Sequence, residues 1–166
     1  MVKLSFNMNN FSLATTVIAV GMFAAMLPRA ATANPEIYKQ KIDAIERQVL
    51  NNRCQQKTKK YQDLEYTACT VQGKPITIVM EGPPGDPGPA CYFERQETIA
   101  FRETAATSYS FFRNRKLQAE IISIGGQPER IKTKFTPKER EELSNRALSL
   151  CKEMRQIFGY SNRPGN

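Results

Sequence analysis

Residues 91–126, CYFERQETIAFRETAATSYSFFRNRKLQAEIISIGG, decide the fold class. Short runs of aromatic and β-branched residues follow one another there, with interruptions too brief for a crossover helix, so neighbouring strands must run antiparallel. The pattern predicts strands over 91–96, 99–105, 108–112 and 117–124. Ile99, Phe101 and Ala105 alternate with Arg102 and Thr104, Tyr109 shares a face with Phe111, and Leu117, Ala119 and Ile121 form a further alternating run. Arg113-Asn114-Arg115-Lys116 reads as a hairpin turn, although the glycine that usually follows asparagine is missing. Gly125-Gly126 closes the run.

Working backwards, 82–90 reads GPPGDPGPA. Glycine recurs every third residue, but three triplets are far too few for a collagen helix. The expectation is an extended, proline-stiffened loop. Before it, 67–71 and 76–81 are β-prone runs joined by a turn at Gln72-Gly73-Lys74-Pro75, with Ile76, Ile78 and Met80 on one face. Residues 53–66 are polar and weakly periodic, and read as a connection or a frayed helical extension.

The two ends of this β region are helical. Asn34-Pro35-Glu36 joins a capping side chain, a proline suited to the first turn and an acid near the positive end of the helix dipole. Tyr38, Ile42, Ile45 and Val49 follow at spacings of four, three and four, and the helix should end near Asn51-Asn52. Thr136-Pro137-Lys138-Glu139 is a capping box. Leu143, Ala147, Leu150, Cys151, Met154, Ile157 and Phe158 make the apolar stripe of the final helix, and Gly159 stops it. The order helix, hairpins, helix gives an α+β fold: an antiparallel meander of four to six strands covered on one face by both amphipathic helices. One domain over 34–159 and a disordered tail over 160–166 complete the expected organisation.

Residues 1–33 have the layout of a secretory signal. Lys3 precedes an uncharged run at 11–27, and Ala31-Thr32-Ala33 supplies small residues at a cleavage site. The destination is then secreted or periplasmic, with bacterial export favoured. The alternative is a membrane anchor through 11–27, which is at the short end of what spans a bilayer. Only in that case would the membrane be a partner.

Export gives the cysteines a meaning. Cys54, Cys69, Cys91 and Cys151 are an even set outside the signal, and in an oxidising compartment they read as two disulfides whose pairing the sequence leaves open. No Cys-x-x-Cys pair occurs and the chain holds no histidine, which argues against a zinc site. The missing histidine also removes Ser-His-Asp and Cys-His chemistry. Neither a metal nor a cofactor is expected. A carboxylate pair is the remaining catalytic option, with Glu81, Glu94, Glu97, Glu103 and Glu120 as its candidates.

The chain carries 24 Lys and Arg against 16 Asp and Glu, and the excess persists beyond residue 33 because only Lys3 and Arg29 precede it. The densest basic group is Lys57, Lys59 and Lys60. Aromatic and basic residues interleave over 109–116, as in nucleic-acid-binding sheets. Export and the core-facing spacing of the aromatics argue against that partner.

These features predict a small disulfide-stapled, non-enzymatic domain that binds or inhibits an envelope or extracellular protein or polymer. Two loops are the candidate contact points: Pro83, Pro84, Asp86 and Pro87, stiffened by proline, and Arg113, Asn114, Arg115 and Lys116 at a hairpin tip. Two other functions are considered. One is a small-ligand carrier with a cavity between sheet and helices, which requires a core left unfilled by Phe101, Tyr109, Phe111, Met154 and Phe158. The other is a hydrolase using two of the named glutamates.

Overall fold

The computed structural model describes residues 34–83, 88–103, 107–123 and 128–160. In chain order these form α1 (Pro35–Leu50), β1 (Gln55–Tyr61), β2 (Leu64–Val71), β3 (Lys74–Met80), β4 (Ala90–Glu94), β5 (Glu97–Arg102), β6 (Thr107–Arg113), β7 (Lys116–Ser123), β8 (Arg130–Lys132) and α2 (Pro137–Ile157). The strands make one eight-stranded sheet in strictly sequential order. Every neighbouring pair is antiparallel. The α+β class and the meander stand.

Two parts of the sequence expectation are corrected. The sheet has eight strands instead of four to six, and both additional strands are edges. The first, β1, occupies the segment read as a connection. Its residues are nearly all exposed on both faces, so the alternation that marks a half-buried strand never develops. Lys57, Lys59 and Lys60 lie along this edge, where charge discourages pairing with another chain. The other edge, β8, has three residues and is also basic and largely exposed.

The second correction concerns the helices, which cover opposite faces. Along β4, Ala90 and Tyr92 belong to one core with Ile42 and Ile45 of α1. Their neighbours Cys91 and Phe93 belong to another core with Ala147, Cys151 and Met154 of α2 and with Phe158, its C-cap. Successive side chains of a strand point to opposite faces. A strand buried on both sides therefore needs cover on both sides. The adjacent Phe111 and Phe112, each 1 % exposed, divide in the same way.

Register shifts occur between β2 and β3, β4 and β5, and β6 and β7, leaving Ile76, Ile99 and Gln118 without a directly paired residue. Each extra residue flips the faces that follow it. Ile76 thus packs in the α1-side core while Ile78 and Met80 pack on the α2 side. Ile99 and Phe101 divide between cores, as do Leu117 and the pair Ala119 and Ile121. The three hairpins share one plan: a two-residue turn, two paired positions, then an unpaired residue on the returning strand.

The turns at Gln62-Asp63, Gln72-Gly73, Arg95-Gln96 and Asn114-Arg115 all have positive φ at both central positions. That is the type I′ geometry whose twist matches a right-twisted hairpin. The asparagine of the last turn fits it, and arginine stands where glycine is usual. Both helix caps form as read. The Asn34 side chain accepts from the Glu36 N–H, and Thr136 and Glu139 complete the capping box. Gly159 follows α2 at φ +76°.

Two disulfides fasten these layers. Cys54 pairs with Cys69, with Cα atoms 5.5 Å apart, and ties the entry of β1 to β2. Cys91 pairs with Cys151, with Cα atoms 5.6 Å apart, and joins α2 to the centre of the sheet. Cys151 is fully buried, as its place in the apolar stripe required. Two bridges of this kind point to an oxidising, extracytoplasmic environment. Among the described residues no helix is long and apolar enough to cross a membrane. The segment 1–33, with its run at 11–27, lies outside the described residues, as do Gly125-Gly126 and residues 161–166. Tyr160 is described: its ring stacks on Phe158 with centroids 6.0 Å apart.

Candidate functional site: a basic groove beside the second helix

In a meander, alternate turns project from the same end of the sheet. The β4–β5 and β6–β7 tips therefore lie together, and α2 passes beside them. A groove of about 620 Å³ lies between them. Gln96, Glu97 and Thr98 line it from the first hairpin and Arg115 from the second. Asn145, Leu148, Ser149, Lys152 and Arg155 line it from the helix. Their spacings of three and four place them on one stripe, next to the apolar stripe that seats α2 on the sheet.

Arginine, lysine and arginine here oppose one carboxylate, Glu97. Arg115 and Lys152 are exposed. Arg155 is only 6 % exposed. One guanidinium nitrogen of Arg155 donates to the backbone oxygen of Gln96, and the group lies over the Phe93 ring at 5.6 Å. Burial pulls its pKa below the ordinary arginine value, yet a guanidinium remains protonated at any physiological pH. A fixed cation thus forms the groove's wall, with two adjustable cations at its rim. Such an arrangement can hold an anion.

A second polar cluster lies between α1 and the sheet. The Tyr92 hydroxyl donates to Glu46 Oε1 at 2.6 Å, and Tyr109 reaches the same oxygen at 3.5 Å. Arg102 approaches Glu46 at 3.6 Å and donates to the backbone oxygen of Gly88 at 3.3 Å. Burial is the main cause that pushes both phenols above the ordinary tyrosine range. They stay protonated as donors, so the cluster seats α1 and the end of the proline loop. The loop approaches β3 closely as well. A Cβ on Gly88 would lie 1.8 Å from the Met80 carbonyl oxygen.

Of the residues singled out in the sequence, Arg115 and Glu97 line the groove. Arg113, Asn114 and Lys116 share the hairpin tip of Arg115 and are exposed. Pro83 is exposed just after β3, while Pro84, Asp86 and Pro87 lie outside the described residues. Of the glutamates, Glu103 and Glu120 lie near enough for the Glu103 charge to help raise the Glu120 pKa. Glu94 pairs with Lys41, Glu103 pairs with Arg146 at 3.1 Å, Glu97 lies in the groove and Glu81 is exposed. Glu120 is raised above the ordinary carboxylate pKa, chiefly by burial and against the opposing charge of Lys132. Among the described residues no cluster of three or more Cys, Asp or Glu side chains could hold a metal ion.

The helix half of the groove escaped the sequence reading. Its signal was Arg155, four residues beyond Cys151 and three before Phe158, which places a cation on the sheet-facing side of α2. Comparison with protein-family models, curated proteins and solved structures finds no match to this chain.

Proposed function

We propose that this protein is a non-enzymatic binding domain of an extracytoplasmic compartment, with the basic groove as its recognition surface. The observation that carries this reading is the construction of the groove. Two tight hairpins and a disulfide-fastened helix hold cationic, amide and hydroxyl groups around one concave surface. Rigid elements lose little conformational entropy on docking, so such a surface suits protein recognition or inhibition. The signal-like segment at 1–33 and the two bridges support export to the cell envelope or beyond.

The carrier reading has less support. It requires a core left unfilled by Phe101, Tyr109, Phe111, Met154 and Phe158, but Phe101, Phe111, Met154 and Phe158 are packed into the two cores and half-buried Tyr109 packs against one of them. The hydrolase reading also has less support: among the described residues Glu103 and Glu120 interact, but Glu103 is paired with Arg146 and Glu120 faces the charge of Lys132.

Site-specific photo-crosslinking tests the proposal. A crosslinking residue is placed at Ser149 in the groove or at Thr58 on the far edge strand, and the protein is exposed to envelope extract. A discrete adduct from position 149 alone is expected. Adducts from both positions alike, or from position 58 alone, would contradict the groove as the recognition surface.

A further inference from the structure

We infer that the groove recognises an acidic peptide segment, with a glutamate or aspartate side chain held by Arg115 and Lys152 beside the buried Arg155; this rests on the binding reading above. Arg115 offers a planar fork suited to a carboxylate, and Lys152 a compact charge on a flexible stem. They come from different elements, the β6–β7 turn and α2, so a carboxylate seated between them bridges the walls of the groove. Arg155 holds a charge in a low-dielectric position against Phe93, where its field on the groove is screened less than at the rim.

The rest of the lining favours a peptide over a dense polyanion. Glu97 would repel a run of phosphates or sulfates, but it can accept from peptide N–H groups. The Gln96 and Asn145 amides and the Thr98 and Ser149 hydroxyls can pair with both N–H and C=O of a main chain. Leu148 supplies one apolar contact. The volume, about 620 Å³, lies within the roughly 300–1,000 Å³ of sites that enclose small ligands. That is room for a short segment.

Calorimetry on the full disulfide-bonded domain tests this with three probes: the blocked peptide Gly-Ser-Glu-Glu-Ser-Gly, its counterpart with both glutamates replaced by glutamine, and inorganic polyphosphate. The glutamate peptide should bind about tenfold or more tightly than the glutamine peptide, and weaken as salt rises. The double variant R115E/K152E should lose about tenfold in affinity for the acidic peptide. Both residues are exposed, and near-UV circular dichroism with non-reducing mass analysis confirms that the variant keeps its fold and bridges.

Equal binding of the two peptides would overturn charge recognition. Polyphosphate binding that the double variant abolishes, with no peptide binding, would overturn the peptide assignment and leave the recognition surface intact. Failure of all three probes, alongside a crosslink from position 149, would overturn the anionic ligand while sparing the binding reading.

Discussion

At the scale of the residue, the four tight turns are the unusual feature. Gln62, Asp63, Gln72, Arg95, Gln96, Asn114 and Arg115 all have positive φ, and only Gly73 occupies a central turn position without a Cβ. Left-handed backbone costs an L-residue roughly 1–2 kcal/mol, less for aspartate and asparagine. Replacing Gln62-Asp63 by Asn-Gly should therefore stabilise the domain by about 1 kcal/mol. This tip lies at the opposite end of the sheet from the groove, so urea unfolding can report stability without altering the site. An unchanged or lower unfolding midpoint would contradict the assigned turn geometry. Single residues also limited how far the sequence could be read. Ile76, Ile99 and Gln118 each add one position to a returning strand, and simple alternation then assigns Ile76, Ile99 and Leu117 to the wrong partners. No residue type marks these bulges, since isoleucine and glutamine are ordinary strand residues.

At the scale of the element, the helices were the most legible part of the chain. Asn34, Thr136, Glu139 and Gly159 act locally, and their roles do not depend on distant residues. The α2 cap makes a specific pH prediction. The Thr136 backbone N–H and the Lys132 ammonium both favour ionised Glu139, lowering its pKa from 4.5 to about 2. A depressed pKa contributes stability that is present above the ordinary value and is lost as pH falls through the folded one. The E139Q variant should be less stable than the parent at neutral pH, with the gap closing between pH 4.5 and about 2. Thermal unfolding across that range measures it, and a gap independent of pH would contradict the charged cap. The strands were legible where they alternate or form continuous apolar runs. The edge strands β1 and β8 were not, because exposed edges are polar for the same reason that connections are.

At the scale of the whole molecule, two cores lie on the two faces of one sheet, and the Cys91–Cys151 bridge secures the α2 side. This bridge spans 60 residues, against 15 for Cys54–Cys69. Loop-closure entropy gives about 4 kcal/mol for the longer and about 3 kcal/mol for the shorter. The paired C91A/C151A variant should accordingly be the less stable of the two bridge-deletion variants in denaturant titration. The reverse order would mean that α2 is held mainly by its apolar stripe.

The groove also belongs to this scale, since it exists only when two hairpin tips and a helix come together. Arg115 could be singled out as a charge on a turn, but its neighbours across the groove could not. Asn145, Ser149 and Lys152 look in the sequence like the solvated face of any amphipathic helix.

The central claim is that recognition occurs at this groove. Nuclear magnetic resonance of the isotopically labelled domain, titrated with the acidic peptide, tests it most directly. Amide shifts are expected at Gln96, Glu97, Thr98, Arg115 and along α2 from Asn145 to Arg155, with β1 and the 82–90 loop unmoved. Shifts concentrated on the proline loop or on Lys57, Lys59 and Lys60 would contradict it.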